Sequence, residues 1–218
     1  MTCTPPGEYE THVTVRCDTD RTVERLRAWA GAAGLKVTHI VLARGRMVSQ
    51  PMLTLTGTDG PAGQRTAADA LVARLAAAGF EPVRVKIEAA PWSPEAPRSD
   101  AAAEGLGRDR YFEHHLKLRL AADFDRAALT VLAAVHGAHL SWNARRASEG
   151  GRHERFVTQR CHGVGADRAG RALEALLADV RAGGYEIDSV EREFVLYDSD
   201  LSVDDGWIEE REEAGAGT

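Results

Sequence analysis

The chain has 218 residues, 44% of them hydrophobic and 28% charged, with a net charge of −6 at neutral pH. That composition supplies a real core for one large domain or two small ones. It offers no apolar run near the ~20 residues that span a bilayer, and its acidic balance argues against general nucleic-acid binding, which draws on clustered Lys and Arg.

Cys3, Cys17 and Cys161 are widely spaced and form no Cys-x-x-Cys pair, so neither a disulfide framework nor a zinc knuckle is indicated. The opening Met1–Gly7 lacks the basic head and apolar stretch of a signal peptide. The expectation is a cytoplasmic protein in a reducing compartment.

The first strand begins near Tyr9, where His12–Arg16 alternates with Val13 and Val15 on one side. A helix follows, with Val23, Leu26 and Ala30 on its apolar face, Asp20 near its start and Gly34 at its stop. Two strands, roughly 36–43 and 51–56, lead to a second helix carrying Ala67, Leu71, Leu75 and Ala78, and then to a strand over Pro82–Ala89. Pro91, Pro94 and Pro97, in an Ala/Gly/Ser-rich stretch ending at Gly107, have the composition of a linker.

The same order then repeats. A strand holds Leu116, Leu118 and Leu120, and a helix holds Leu129, Leu132 and Ala133, with Asp123 near its start and Gly137 at its stop. Strands over 139–145 and 154–162, a helix with Leu173, Leu176, Leu177 and Val180, and a strand over Ile187–Tyr197 complete it. The acidic run Tyr197–Trp207 does not fit an EF-hand loop, whose ligands fall at positions 1, 3 and 5 before a Gly at 6. It reads as a partly disordered acidic segment with Trp207 as an anchor, and 209–218 as a disordered, solvated tail.

Tyr9-Glu-Thr-His-Val-Thr-Val15 aligns with Phe112-Glu-His-His-Leu-Lys-Leu118, His12 and His115 being 103 residues apart. Gly34 and Gly137 keep that offset, and Ala78-Gly-Phe-Glu81 aligns with Gly183-Gly-Tyr-Glu186 at 105. The expected fold is α+β: tandem duplicated ferredoxin-like βαββαβ units, residues 1–90 and 111–208, joined by a linker over 91–110. They would form a pseudo-twofold monomer with helices on one face of an antiparallel sheet.

If the apolar alternation meets the helices, the opposite face carries Glu10, His12, Thr14 and Arg16 in the first unit, and Glu113, His115, Lys117 and Arg119 in the second. Arg84, Lys86 and Glu88 join them, as do Thr158, Arg160 and His162. Six cations against three carboxylates make this face net positive on an acidic protein, which favours an anionic ligand. A wet outer face is the bland alternative. Pairing of the two units, as one continuous sheet or a closed barrel, would put these ladders inside, where charge marks a site.

Glu10-x-His12 and Glu113-x-His115 each set a carboxylate and an imidazole on one strand face, a pattern suited to acid–base work by a histidine poised near neutral pH. The four together could also ligate one metal, or form only a salt ladder; no metal ligand is assigned. His12-Val-Thr14 resembles the His-x-Thr element of 2H phosphoesterases, with Lys117 at the matching place of the second unit. Glu113-x-His115-x-Lys117 resembles, in half, the Glu-x-Glu-x-Lys strand of triphosphate tunnel enzymes. In unit shape, Val13–Ile40 resembles ACT-type regulatory domains. Gly163-Val-Gly165 opens a helix, as either a plain turn or an anion site at the helix start.

The expectation is therefore an enzyme acting on a small anionic substrate, of which a phosphate ester or nucleotide is one kind, in a cleft between the halves. His115, His12, Glu113 and Glu10 are the candidate catalytic residues. Lys117, Arg119, Thr14, Arg16, Lys86, Thr158, Arg160 and His162 are the candidate binding residues. The alternative is a non-catalytic ACT-like module that binds a small molecule. No cofactor is named, neither nucleic acid nor membrane is an expected partner, and a homodimer is left open.

Overall fold

The computed structural model describes residues 7–144 and 152–207, and the predicted 209–218 tail lies outside the described residues. Strand β1 (Tyr9–Arg16) buries Val13 and Val15 completely while His12 and Thr14 face the other way, as the pleat requires. Helix α1 (Asp20–Ala32) starts at Thr19, whose Oγ1 accepts from the Thr22 amide; Asp20 lies in the first turn rather than at the cap. It stops at Gly34, whose φ of +69° costs a glycine little. Strands β2 (Lys36–Leu42) and β3 (Ser49–Gly57), helix α2 (Gly60–Ala77) and strand β4 (Glu81–Ala89) follow.

The predicted linker is ordered. Ser93 and Ala96 are buried, the Tyr9 hydroxyl donates to Glu95 Oε1 at 2.9 Å, and a short helix α3 (Asp100–Ala103) precedes the second half. That half runs through strand β5 (Tyr111–Ala121), helix α4 (Arg126–Val135), strands β6 (Ala138–Asn143) and β7 (Arg152–His162), helix α5 (Ala166–Ala182) and strand β8 (Glu186–Asp198). The cap of α4 is Asp125, two residues beyond the expected Asp123. The order β-α-β-β-α-β thus occurs twice.

All eight strands close into one antiparallel barrel in the order β1-β3-β2-β6-β7-β5-β8-β4. Two seams join the halves: Ile40–Leu42 pair with 141–143, and Lys86–Ala89 pair with 194–198. Closure leaves no sheet edge to cover. The helices pack outside, making one apolar core around Leu26, Leu53, Leu71 and Leu75 and another around Leu116, Leu118, Leu129 and Leu173. Each fully buried Leu or Val there stabilises the fold by roughly 1.5–3 kcal/mol. The polar faces therefore turn inward. Among the described residues no helix is long and apolar enough to cross a membrane.

The acidic run after β8 is built into the barrel. A 3-10 turn, Leu201–Asp204, leads to Trp207, which is buried and donates its indole N–H to Leu140 O at 2.9 Å. Expected to be partly disordered, this segment is instead ordered, because buried arginines and a tryptophan pocket meet its polar and apolar groups.

Candidate functional site

The barrel encloses a cavity of about 580 Å³. Nine of the predicted site residues line it: Glu10, His12, Thr14, Lys86, Glu113, His115, Lys117, Thr158 and Arg160. Three do not. Arg16 is exposed at the end of β1, beyond a bulge at Thr14/Val15, and pairs with Glu81 at 2.9 Å. Arg119 is likewise exposed and pairs with Asp188 at 2.6 Å. His162 is exposed and stacks on Tyr111 with ring centroids 4.6 Å apart. All three lie near strand ends, where an alternation that is correct in parity runs out of barrel.

Two matching polar sets face the cavity. His12 Nδ1 meets Thr54 Oγ1 at 3.1 Å, while its Nε2 lies 3.0 Å from Glu88 and 3.7 Å from Glu10. His115 Nδ1 meets Thr158 Oγ1 at 2.9 Å, while its Nε2 lies 3.2 Å from Glu113 and 3.5 Å from Glu193. The registers match as well. His12 is opposite Thr54 and Glu10 opposite Glu88; His115 is opposite Thr158 and Glu113 opposite Glu193.

Lys86 joins the sets. Its ammonium pairs with Glu113 and lies 2.6 Å from Glu88 Oε1, an ion pair without hydrogen-bond geometry. Glu113 also accepts from Arg160 Nε at 2.5 Å.

The electrostatics follow from this packing. Burial alone would lower His115, but Glu113 and Glu193 outweigh it and push the imidazole up to about 10. His115 is therefore an imidazolium at neutral pH rather than a group poised there, because it has two carboxylates where the sequence showed one. His12 is raised in the same way: burial pulls it down, and Glu88 prevails.

Glu88 is held at about 2, since Lys86 and His12 overcome the cost of burying its charge. Glu193 goes the other way, lifted by burial and by the charge of Glu88. Two carboxylates of one cavity are thus driven apart, the pattern that separates acid from base roles.

The cavity is less cationic than the sequence suggested. Five Lys or Arg and six Asp or Glu line it. Glu191, Glu193 and Asp204 come from segments whose facing the alternation did not reveal. Along β8, Val190 and Phe194 mark the outer face, but Arg192 between them breaks the apolar pattern, and Phe194–Tyr197 is apolar on both faces. Bulges at Lys117/Leu118 and Ile87/Glu88 shift the register further. Asp204 and Trp207 come from outside any strand, and no periodicity announces them.

Glu113, His115 and Glu193 place one ligand atom each within 4.8 Å of the others, a spacing open to a metal ion. Glu113 already faces Lys86, Arg160 and His115, however, and a divalent cation would have to displace or tolerate those charges. The Gly163-Val-Gly165 turn is filled from within: the Gly165 amide donates to Asp100 Oδ1 at 2.8 Å, and a Cβ there would come within 2.4 Å of the Ser99 backbone. It is a packing turn.

No protein-family model matches the chain, and no curated protein does. Among solved structures it is similar to the acetolactate synthase small subunit of Thermotoga maritima, at 12% identity over 85% of this chain and 92% of that one, with a TM-score of 0.30. It is also similar to the regulatory subunit of aspartate kinase from Thermus thermophilus (13%, 79% and 91%, TM-score 0.32). A third is chlorite dismutase of Candidatus Nitrospira defluvii (12%, 88% and 92%, TM-score 0.31). Likeness of this degree assigns neither a family nor an activity.

Proposed function

We propose that the chain is a cytoplasmic enzyme that binds a small anionic molecule, such as a phosphate ester or nucleotide, inside the barrel and acts on it by proton transfer. The observation that carries this reading is the ionic lining of the cavity. Glu88 and Glu113 are almost fully buried, as are Arg84 and Arg160, and a buried ionic network is no cheaper than a well-packed apolar one. Such a network is better explained by a ligand than by stability.

In this reading His115, held as an imidazolium, donates from Nε2, and Glu193 is the carboxyl group nearest to carrying a proton. Glu88, its Oε1 2.6 Å from the Lys86 ammonium, stays ionised beside it. Glu113 and Thr158 orient the His115 ring.

The paired registers of the two Thr–His–Glu–Glu sets support descent from a duplicated βαββαβ unit, with the halves at 1–90 and 111–208. A regulatory site of the ACT type at an outer sheet edge finds no edge in this barrel. The test is a thermal-shift screen of phosphates, nucleotides and carboxylates against wild type and Lys117→Ala. A stabilising ligand whose effect weakens in the variant is expected, since a ligand of the folded state raises its stability by mass action. A screen with no shift counts against enzyme and sensor alike.

A further inference from the structure

At one end of the cavity a three-donor cradle closes on a single carboxylate. Arg84 Nη1 and Arg160 Nη2 each donate to Asp204 Oδ2 at 2.8 Å, and Gln50 Nε2 donates to Asp204 Oδ1 at 2.8 Å. All three donor residues belong to barrel strands. Asp204 does not: it sits on the 3-10 turn of the segment that crosses this end.

The donors also have other partners. Arg84 forms a forked pair with Asp198, Arg160 binds Glu113, and Gln50 reaches Met47 O. Removing Asp204 would therefore leave the cradle standing, with one N–H of each arginine aimed at the same point. Arg84 and Arg160 hold Asp204 at about 2 against the cost of burial, so it is an anion at any working pH.

We propose that Arg84, Arg160 and Gln50 form an oxyanion subsite of the cavity, that Asp204 fills it in the ligand-free protein, and that a carboxylate or phosphate group of the ligand displaces Asp204 and lifts residues 201–207. The inference rests on the reading of the cavity as a ligand site. It also answers a difficulty in that reading, because Arg84, Lys86 and Arg160 are already paired inside the barrel, and an anion bound to them must replace one of their partners. Asp204 is the replaceable one. Its exchange for another monoanion leaves the charge of the cradle unchanged, and its segment is held by hydrogen bonds from Arg46 N to Asp205 O at 2.7 Å, Arg46 to Ser202 Oγ at 2.6 Å and Trp207 to Leu140 O, with Val203 and Trp207 buried, rather than by a strand ladder.

The test measures binding of acetate and of inorganic phosphate to wild type and Asp204→Ala by thermal shift, at constant ionic strength against chloride. The vacated cradle should bind one of the anions at least ~10-fold tighter than wild type does, with a saturable rise in melting temperature. Preference for phosphate or for acetate names the ligand group. In wild type, saturating anion should speed amide exchange across 201–207.

A folded Asp204→Ala protein that responds to neither anion beyond chloride overturns the proposal, as does anion binding that protects 201–207. If Asp204→Ala does not fold, Asp204→Asn keeps the size, loses the charge and is read in the same way. The acid–base reading fails separately: Asp204→Ala, His115→Gln should keep the anion response, and unchanged turnover in His115→Gln would sink the catalysis without touching the subsite.

Discussion

The Lys86 ammonium and the Glu113 carboxylate come from opposite halves of the chain and pair inside the barrel, with the Glu88 carboxylate 2.6 Å from the same ammonium. Through this contact the set around His12 and the set around His115 share one electrostatic environment. Burial alone would lower Lys86; the two carboxylates raise it well above its ordinary value.

Lys86→Met should be strongly destabilising, because it leaves Glu88 and Glu113 buried with one cation fewer. Breaking a buried pair from one side costs about 3–5 kcal/mol. Urea denaturation should show that loss, and adding Glu88→Gln should return part of it. A single variant within ~0.5 kcal/mol of wild type, the range of an ordinary surface change, would mean that Lys86 holds little of the network together.

Stability should fall toward both acid and alkaline pH. The folded His115 titrates at about 10, above the ~6.5 of an unfolded histidine, so its contribution is complete below that value and is lost as pH rises toward 10. His114 is the opposite case: burial lowers it to about 4, so its contribution is present above ~6.5 and disappears as pH falls toward 4. Glu88 and Asp204, both at about 2, add a further loss as pH falls through the ordinary carboxylate range toward 2. Denaturation midpoints between pH 4 and 10 check the curve. His115→Gln should flatten the alkaline side and leave the acid side in place.

Gly45 limits the approach of the closing segment. Its φ is +117°, and a Cβ would lie 2.9 Å from Trp207 N and 3.0 Å from Asp205 O, both backbone atoms. Gly45→Ala should therefore cost roughly 1–3 kcal/mol in backbone strain and speed amide exchange at Asp205 and Trp207. Unchanged exchange there would show that the loop carrying Gly45 yields instead.

Much of this arrangement could be read from the chain because alternation is a local signal. His12 beside Val13, and His115 beside Leu116, fix which side of β1 and β5 meets the helices, and Arg84 and Lys86 follow on β4. Glu193 escaped because Arg192 lies among the outward apolar residues of β8. Asp204 escaped for a different reason. It reaches Arg84 across 120 residues of sequence, and a short acidic run looks the same whether it is solvated or folded over two arginines. The charge of the site changed sign of emphasis with those residues: the ladders that could be predicted are cationic, and the segments that could not be placed are acidic.

The decisive prediction concerns His115. Its Nε2–H points between Glu113 and Glu193 at the cavity wall, and both carboxylates keep it protonated far above neutrality. A proton donor of this kind should give turnover that is level through neutral pH and falls as pH rises through about 10. His115→Gln keeps a side chain able to meet Thr158 but cannot supply the proton. With a substrate taken from the thermal-shift screen, it should lose at least ~100-fold in kcat, the low end for removal of an acid–base group. His12→Gln should lose less, since Thr14 stands two residues on where Lys117 follows His115, which makes the first set the binding half. Equal kcat in wild type and His115→Gln would exclude proton donation by this histidine. The barrel would then be read as a binding protein for the same ligand.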